Sequence, residues 1–443
     1  MKFEQYYLEC LSHASYMIGD ETSGLAAVVD PRRDVAEYIA DAEAAGLRIA
    51  YVIETHFHAD FLSGHLELAE RTGAGIVYGA AAAGRVEFPI QAMADRERIR
   101  LGRVELQVRA TPGHGVFSGD TLFIGDVGRP DLLASAGVSA DELGRQLYRS
   151  LHNQLLTLPD ATKVFPAHGA GSACGKSLST ETVSTIGEQR RTNYALAPMS
   201  EDDFVAAVTE GQSVAPLYFS FAANRNRQAH DVLDEHAPVR QLTLDEVLAH
   251  QAAGGAVVDG RDAAEFAAGH LRGSINVGLA GRYAEYVGEV IPPGTPIAVV
   301  AEPGSEAEAV LRLARIGFDD VVGALAEPQR AFVQRPELVA RASRITAAEL
   351  DTVRLATPSL QLVDVRNPGE VADGMLDGAR HIPLAALLHR LDELDPAAPT
   401  VVYCAGGYRS SIAASTLRAL GFQDVSDLVG GYGACALTSG SAR

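Results

Sequence analysis

The chain has 443 residues, 47% of them hydrophobic and 21% charged, with a formal net charge of −20. That length accommodates roughly three domains of about 150 residues each. The acidic balance excludes nucleic acid and anionic membrane surfaces as partners, because phosphate binding needs a basic face.

No apolar run reaches about 18 residues, the length that spans a bilayer. The first ten residues carry acids where a signal peptide would carry its apolar core. Four cysteines (Cys10, Cys174, Cys404, Cys435) are scattered and form no CxxC pair. They are not a disulfide framework, and they predict a cytoplasmic location where thiols stay reduced.

The first segment, residues 1–240, holds nine of the thirteen histidines. Apolar runs predict strands at Ala26-Ala27-Val28-Val29-Asp30, Ile49-Ala50-Tyr51-Val52-Ile53, Gly75-Ile76-Val77-Tyr78 and Val104-Glu105-Leu106-Gln107-Val108, with helices over 34–45 and 64–71. Cys10 falls in a predicted strand and is expected to be buried. Residues 199–239 carry Pro, Asn and Arg clusters and read as a helical tail and linker.

Residues 241–335 and 345–443 form an internal repeat of roughly 100 residues. Asp259-Gly260-Arg261 answers Asp364-Val365-Arg366. Ile275-Asn276-Val277 answers His381-Ile382-Pro383, and Gly317-Phe318 answers Gly421-Phe422. Strands alternating with helices predict a parallel α/β sheet in each copy.

Thr55-His56-Phe57-His58-Ala59-Asp60-Phe61 packs three metal ligands or proton carriers just after an apolar strand. Downstream stand Thr111-Pro112-Gly113-His114, Ser118-Gly119-Asp120 and Phe165-Pro166-Ala167-His168-Gly169. Each places a His or Asp at a glycine-rich strand end, where loops gather ligands at a sheet edge.

This order resembles the metallo-β-lactamase superfamily over residues 1–195. The wider phrasing, with Phe123-Ile124-Gly125-Asp126-Val127-Gly128-Arg129-Pro130-Asp131-Leu132 and Gly171-Ser172-Ala173-Cys174-Gly175-Lys176-Ser177-Leu178, resembles its persulfide dioxygenase branch, especially the rhodanese fusions. The resemblance implies an αββα sandwich followed by two rhodanese-like α/β domains. It implies one Fe(II), held by His56, His114 and Asp120. Two histidines and a carboxylate with open positions suit non-haem iron and O₂. His58, Asp60 and His168 would orient ligands or water. Phe61 stands where two-metal members have a further histidine, which argues against a second metal. Arg129 would stabilise developing charge or hold substrate, or else pair with Asp131 or Asp126. Only five residues separate His114 from Asp120, where the family has about a strand pair more. Six steps span at most about 20 Å, so both residues could reach one metal, but sheet pairing beside the site is expected to be lost.

Cys404-Ala405-Gly406-Gly407-Tyr408-Arg409 lies between an apolar strand and a predicted helix, and resembles the rhodanese active-site loop. Successive N–H groups at a helix N-terminus stabilise an anionic sulfur, and Arg409 adds positive charge. Cys404 is then the nucleophile that carries a persulfide. The first copy has Ala301-Glu302-Pro303-Gly304-Ser305-Glu306 instead: no thiol and two acids. It is expected to be non-catalytic and to serve packing or dimerisation. Cys174 is expected to be structural or to touch a thiol substrate.

Together these readings imply oxidation of a thiol persulfide, such as glutathione persulfide, by O₂ to sulfite, coupled to sulfur exchange with thiosulfate through Cys404. Two alternatives stay open: a two-zinc thioester hydrolase of the glyoxalase II kind, and a sulfur carrier with a defective metal site. The oligomeric state stays open as well.

Overall fold

The computed structural model describes residues 1–111, 119–132, 139–176, 178–372 and 374–440. The chain divides into two compact units. One comprises Met1–Gln212, Tyr218–Glu235 and Ala314–Gly317; the other comprises Ser213–Leu217, His236–Leu313 and Phe318–Arg443.

The first unit is built on a six-stranded sheet whose strands lie in chain order: Lys2–Leu8, His13–Asp20, Leu25–Val29, Arg48–Ile53, Gly75–Gly79 and Gln91–Met93. The first three run antiparallel and the last four are paired in parallel. Two parallel crossovers carry the helices Ala36–Ala44 and His65–Thr72, close to the predicted spans. Side chains alternate across the sheet. Met17, Val28 and Val52 join Tyr38 and Leu68 in one core, while Tyr16, Ile18 and Val29 face Phe165 and Leu106 on the other side.

The second layer departs from a continuous sheet. Among the described residues, Arg98–Leu101 pairs only with Val104–Gln107, and Lys163–Val164 only with Ser184–Thr185. A cavity of about 330 Å³ lies between these pairs, lined by Gln107, Arg109, Leu122, Val164, Phe165 and Ile186. The short link before Asp120, on which the expected loss of pairing falls, lies largely outside the described residues.

Cys10 corrects the sequence reading. It lies in the 3-10 turn Glu9–Leu11 rather than in a strand, and it is half-buried. The chain reverses there between two antiparallel strands, and Ser12 takes a left-handed φ of 49° to complete the turn.

The second unit holds two five-stranded parallel sheets of identical order. In the first copy the order is Gln241–Leu242, Val321–Leu325, Ile297–Val300, Ala256–Asp259, Ile275–Asn276. In the second it is Ser343–Ile345, Val425–Leu428, Thr400–Tyr403, Gln361–Asp364, Arg380–His381. The repeat extends to side chains. Arg261 grips Asp259 as Arg366 grips Asp364, each through two buried hydrogen bonds closing at 2.6 Å. Thr243 with Glu246 and Thr346 with Glu349 form matching capping boxes at the first helix of each copy. No helix among the described residues is long and apolar enough to cross a membrane.

Candidate functional site

The metal-like residues of the first unit converge at the carboxyl edge of its sheet. The strand Arg48–Ile53 ends at Glu54 and releases the loop that carries His56, His58 and Asp60. His56 Nε2 comes 3.7 Å from Asp120 Oδ2. His168 Nε2 lies 3.4 Å from Asp120 Oδ1 and 3.5 Å from Asp60 Oδ2. Four of the predicted residues therefore meet in one place. His114 lies outside the described residues. Phe61 is fully buried, its ring 4.3 Å from that of His58. It fills its position with hydrocarbon and offers no ligand atom.

His58 stands slightly apart. Its Nε2 faces Asp30 Oδ1 at 3.1 Å and Glu54 Oε2 at 3.2 Å, while its Nδ1 is buried without a hydrogen-bond partner. Burial opposes a charged imidazole, but the two carboxylates outweigh it and push His58 well above its usual range. Burial pushes Glu54 up to about 7. Asp30 also accepts from the N–H and hydroxyl of Thr55, and holds a left-handed φ of 48°. A non-glycine residue there stores strain, and here it aims a carboxylate at the motif loop.

Burial raises Asp120 to about 6, against the pull of His168, and burial lowers His168. Asp120 Oδ1, His168 Nε2 and His58 Nδ1 are all buried with no hydrogen bond. Orphaned polar atoms cost free energy in an apolar interior unless something coordinates them. The donor set, imidazole nitrogens and carboxylate oxygens at one edge, fits a bound metal ion.

Several contributors carried no signal in the motifs. Asn226 is fully buried in the stretch read only as tail and linker; its Nδ2 donates to the carbonyls of His58 and Phe61, and its Oδ1 accepts from Ser63 N–H, all at 2.8 Å. Tyr218 donates its hydroxyl to the Asp60 carbonyl at 3.0 Å. The His13 ring lies 4.1 Å from that of Phe61, tilted by 45°, with its Nε2 buried and unpartnered, and burial with nearby His168 and His58 drives its pKa well below normal. Cys174 is buried within reach of Asp60 and His168, and burial, with the carboxylates of Asp60 and Asp120 adding to it, pushes its thiol well above normal. Arg129 is buried and bidentate on Asp131, at 2.9 and 2.6 Å, and also donates to the Ala173 carbonyl beneath the Cys174 turn.

In the second unit, Cys404 ends the strand Thr400–Tyr403 and is 1% exposed. Gly407, at a left-handed φ of 103°, turns the loop so that its N–H points at Cys404 Sγ, 3.1 Å away. The Ser410 hydroxyl lies 3.7 Å from the same sulfur at the start of the helix Tyr408–Ala419. Arg409 is close by, but both of its terminal nitrogens hold Glu370 at 2.6 Å. Its positive charge is thus shared with a carboxylate, which the sequence reading did not foresee.

The fold and these two sites define a metallo-β-lactamase domain followed by paired rhodanese-like domains. The pattern of the Metallo-beta-lactamase superfamily matches residues 8–168, and that of the Rhodanese-like domain matches residues 243–327 and 346–436. Over 227 residues the chain is 30% identical to the mitochondrial persulfide dioxygenase ETHE1 of Homo sapiens, covering 48% of this chain and 82% of that protein. It is 34% identical over 167 residues to a hydroxyacylglutathione hydrolase of Methylococcus capsulatus, covering 34% of this chain and 60% of that one. A metallo-β-lactamase structure from Staphylococcus aureus superposes with a TM-score of 0.65 at 29% identity, covering 73% of this chain and 98% of that chain. The chain belongs to the persulfide dioxygenase family of metallo-β-lactamase-fold proteins and carries two rhodanese-like domains besides.

Proposed function

We propose that the first unit oxidises a low-molecular-weight thiol persulfide, such as glutathione persulfide, to sulfite, and that Cys404 exchanges sulfane sulfur with thiosulfate. The observation that carries this reading is the convergence of His56, Asp60, Asp120 and His168 at one edge, where Asp120 Oδ1 and His168 Nε2 are buried without hydrogen bonds, with Phe61 filling the position of a further ligand. The similarity to persulfide dioxygenase supports the choice of substrate.

His56 and Asp120, with His114, would hold a single Fe(II). When bound, that iron would supply open positions where O₂ and a persulfide sulfur meet. The chain's own groups set up the surroundings. Thr55 hydroxyl contacts His56 Nδ1 at 2.8 Å and fixes the ring plane. Phe61 keeps water from one side. His168, its Nε2 3.4 Å from Asp120 Oδ1, would orient that carboxylate. The overall reaction consumes one persulfide, one O₂ and one water, and yields the thiol and sulfurous acid, which ionises to sulfite.

At the second site the Cys404 thiolate attacks the outer sulfur of thiosulfate. The S–S bond breaks, sulfite leaves with the electron pair, and the Cys404 persulfide anion sits against the Gly407 N–H. A thiol acceptor can then take the sulfur, supplying the persulfide that the first unit oxidises.

The test is oxygen uptake with glutathione persulfide, alongside metal analysis of the same sample. His56→Ala should abolish oxygen uptake and spare Cys404-dependent sulfur transfer. Iron-free protein without uptake would leave a sulfur carrier. The similarity to a hydroxyacylglutathione hydrolase motivates a second reading; stoichiometric zinc with turnover of S-lactoylglutathione would establish it instead.

A further inference from the structure

The cysteine-less rhodanese copy makes buried contacts with the helix that begins at the Cys404 loop. Tyr408, the first residue of that helix, donates its hydroxyl to the Gly278 carbonyl at 2.5 Å, and its ring meets Tyr286 edge-on at 5.6 Å. Gly281 completes the socket: a β-carbon there would overlap the Tyr408 ring, although the Gly281 backbone lies outside the left-handed region.

One turn further along, Asn276 takes over. It is 1% exposed and accepts from the Ser411 hydroxyl at 2.8 Å. Its backbone N–H donates to Ser415 Oγ at 2.9 Å. Its Nδ2 donates to the carbonyls of Asp259 and Arg261, which ties these contacts to the Asp259–Arg261 pair of its own copy. A fully satisfied buried polar network fixes register, because any slip strands its members without partners. The helix so fixed follows directly on Gly407, whose N–H faces Cys404 Sγ, and carries Ser410, whose hydroxyl lies 3.7 Å from the same sulfur.

We propose that the cysteine-less copy is a positioning element of the Cys404 site, acting through Tyr408 and Asn276 to set the start of the helix Tyr408–Ala419 against the sulfur. Neither residue touches the reacting atoms. The copy that lost its own thiol keeps a part in sulfur transfer by holding the other copy's loop. This rests on the reading of Cys404 as the sulfur-carrying nucleophile.

The test is Gly281→Ala in the full chain, a change remote from the thiol that intrudes only on the Tyr408 socket. A displaced loop should lower kcat for thiosulfate-to-cyanide transfer by about tenfold while KM for thiosulfate holds. The rate of Cys404 alkylation by iodoacetamide, read by peptide mapping across a pH series, should fall near neutral pH in the same variant. Tyr408→Phe keeps the ring and deletes only the hydroxyl bonded to the Gly278 carbonyl, and should show a smaller loss of both readouts with an unchanged unfolding midpoint. Wild-type transfer and alkylation in Gly281→Ala would overturn the proposal, as would a fall in its unfolding midpoint large enough to account for the losses. Should the wild-type chain transfer no sulfur, the functional reading falls, and the alkylation profile alone still decides the positioning role.

Discussion

Asn226 holds His58 by its backbone: Asn226 Nδ2 donates to the His58 carbonyl at 2.8 Å, and the same amide nitrogen reaches the Phe61 carbonyl. The motif loop is thus pinned from behind by a residue of the helical tail, with Ser63 N–H closing the third bond. Asn226→Ala leaves those groups buried and unsatisfied, at about 1–3 kcal/mol each. The expected result is a lower unfolding midpoint and a loss of bound metal at fixed total metal. Asn226→Asp keeps the acceptor for Ser63 but no donor, and should lose metal as well. Full metal occupancy in both variants would show that the loop holds itself.

Phe61 is the second point of control. It is fully buried between His13 and His58, so Phe61→Ala should cost about 3–5 kcal/mol through the cavity it leaves. Phe61→His is more informative, since it adds an imidazole beside His13 and His58. Zinc bound per chain, counted after dialysis, should rise above that of the wild type, and oxygen uptake should fall. An unchanged zinc count would mean that Phe61 does not limit metal number.

The metal motifs were legible because His56, His58 and Asp60 crowd into five residues after an apolar run, and His114, Asp120 and His168 each have a glycine beside them, local patterns both. The repeat was legible for the same reason: Asp259-Gly260-Arg261 answers Asp364-Val365-Arg366, and Gly317-Phe318 answers Gly421-Phe422, in the same order. Asn226, Tyr218 and His13 were not legible. Their partners are backbone carbonyls or rings far away in the chain, and such contacts leave no spacing to read. The Arg409–Glu370 pair was hidden likewise, because the two residues lie 39 positions apart.

Glu289 predicts a pH dependence for the second unit. It lies on the helix Tyr283–Val290 and is 8% exposed. Burial pushes its carboxyl up to about 8 from an ordinary 4.5, Glu285 adds to the rise, and Arg409 and Arg282 oppose it. Below the ordinary value both folded and unfolded chains hold the proton, so Glu289 adds no pH dependence. Between the two values the unfolded chain releases a proton that the folded chain keeps, so stability falls as pH rises, by at most about 1.4 kcal/mol per unit. Above the raised value the loss levels off. Glu289→Gln removes this penalty, and its gain over wild type in chemical denaturation should grow between about pH 5 and about pH 8. A gain of equal size at both would assign the effect to packing.

Arg409 and Glu370 set the charge beside Cys404, which thiosulfate would meet in the proposed transfer. The pair is bidentate at 2.6 Å on both arms, with Arg409 14% and Glu370 35% exposed. The carboxylate is held below its usual range because Arg409 outweighs the effect of burial. Glu370→Gln keeps the shape and deletes the negative charge, leaving the guanidinium uncompensated beside the thiol. A unit charge near an anion is worth about 1 kcal/mol in water-like surroundings, roughly fivefold in affinity. KM for thiosulfate should therefore fall in Glu370→Gln, and the gain should shrink as salt screens it. Arg409→Met should move KM the other way. A drop in kcat in Glu370→Gln with KM unchanged would instead assign the pair to holding the loop, with no part in drawing the substrate in.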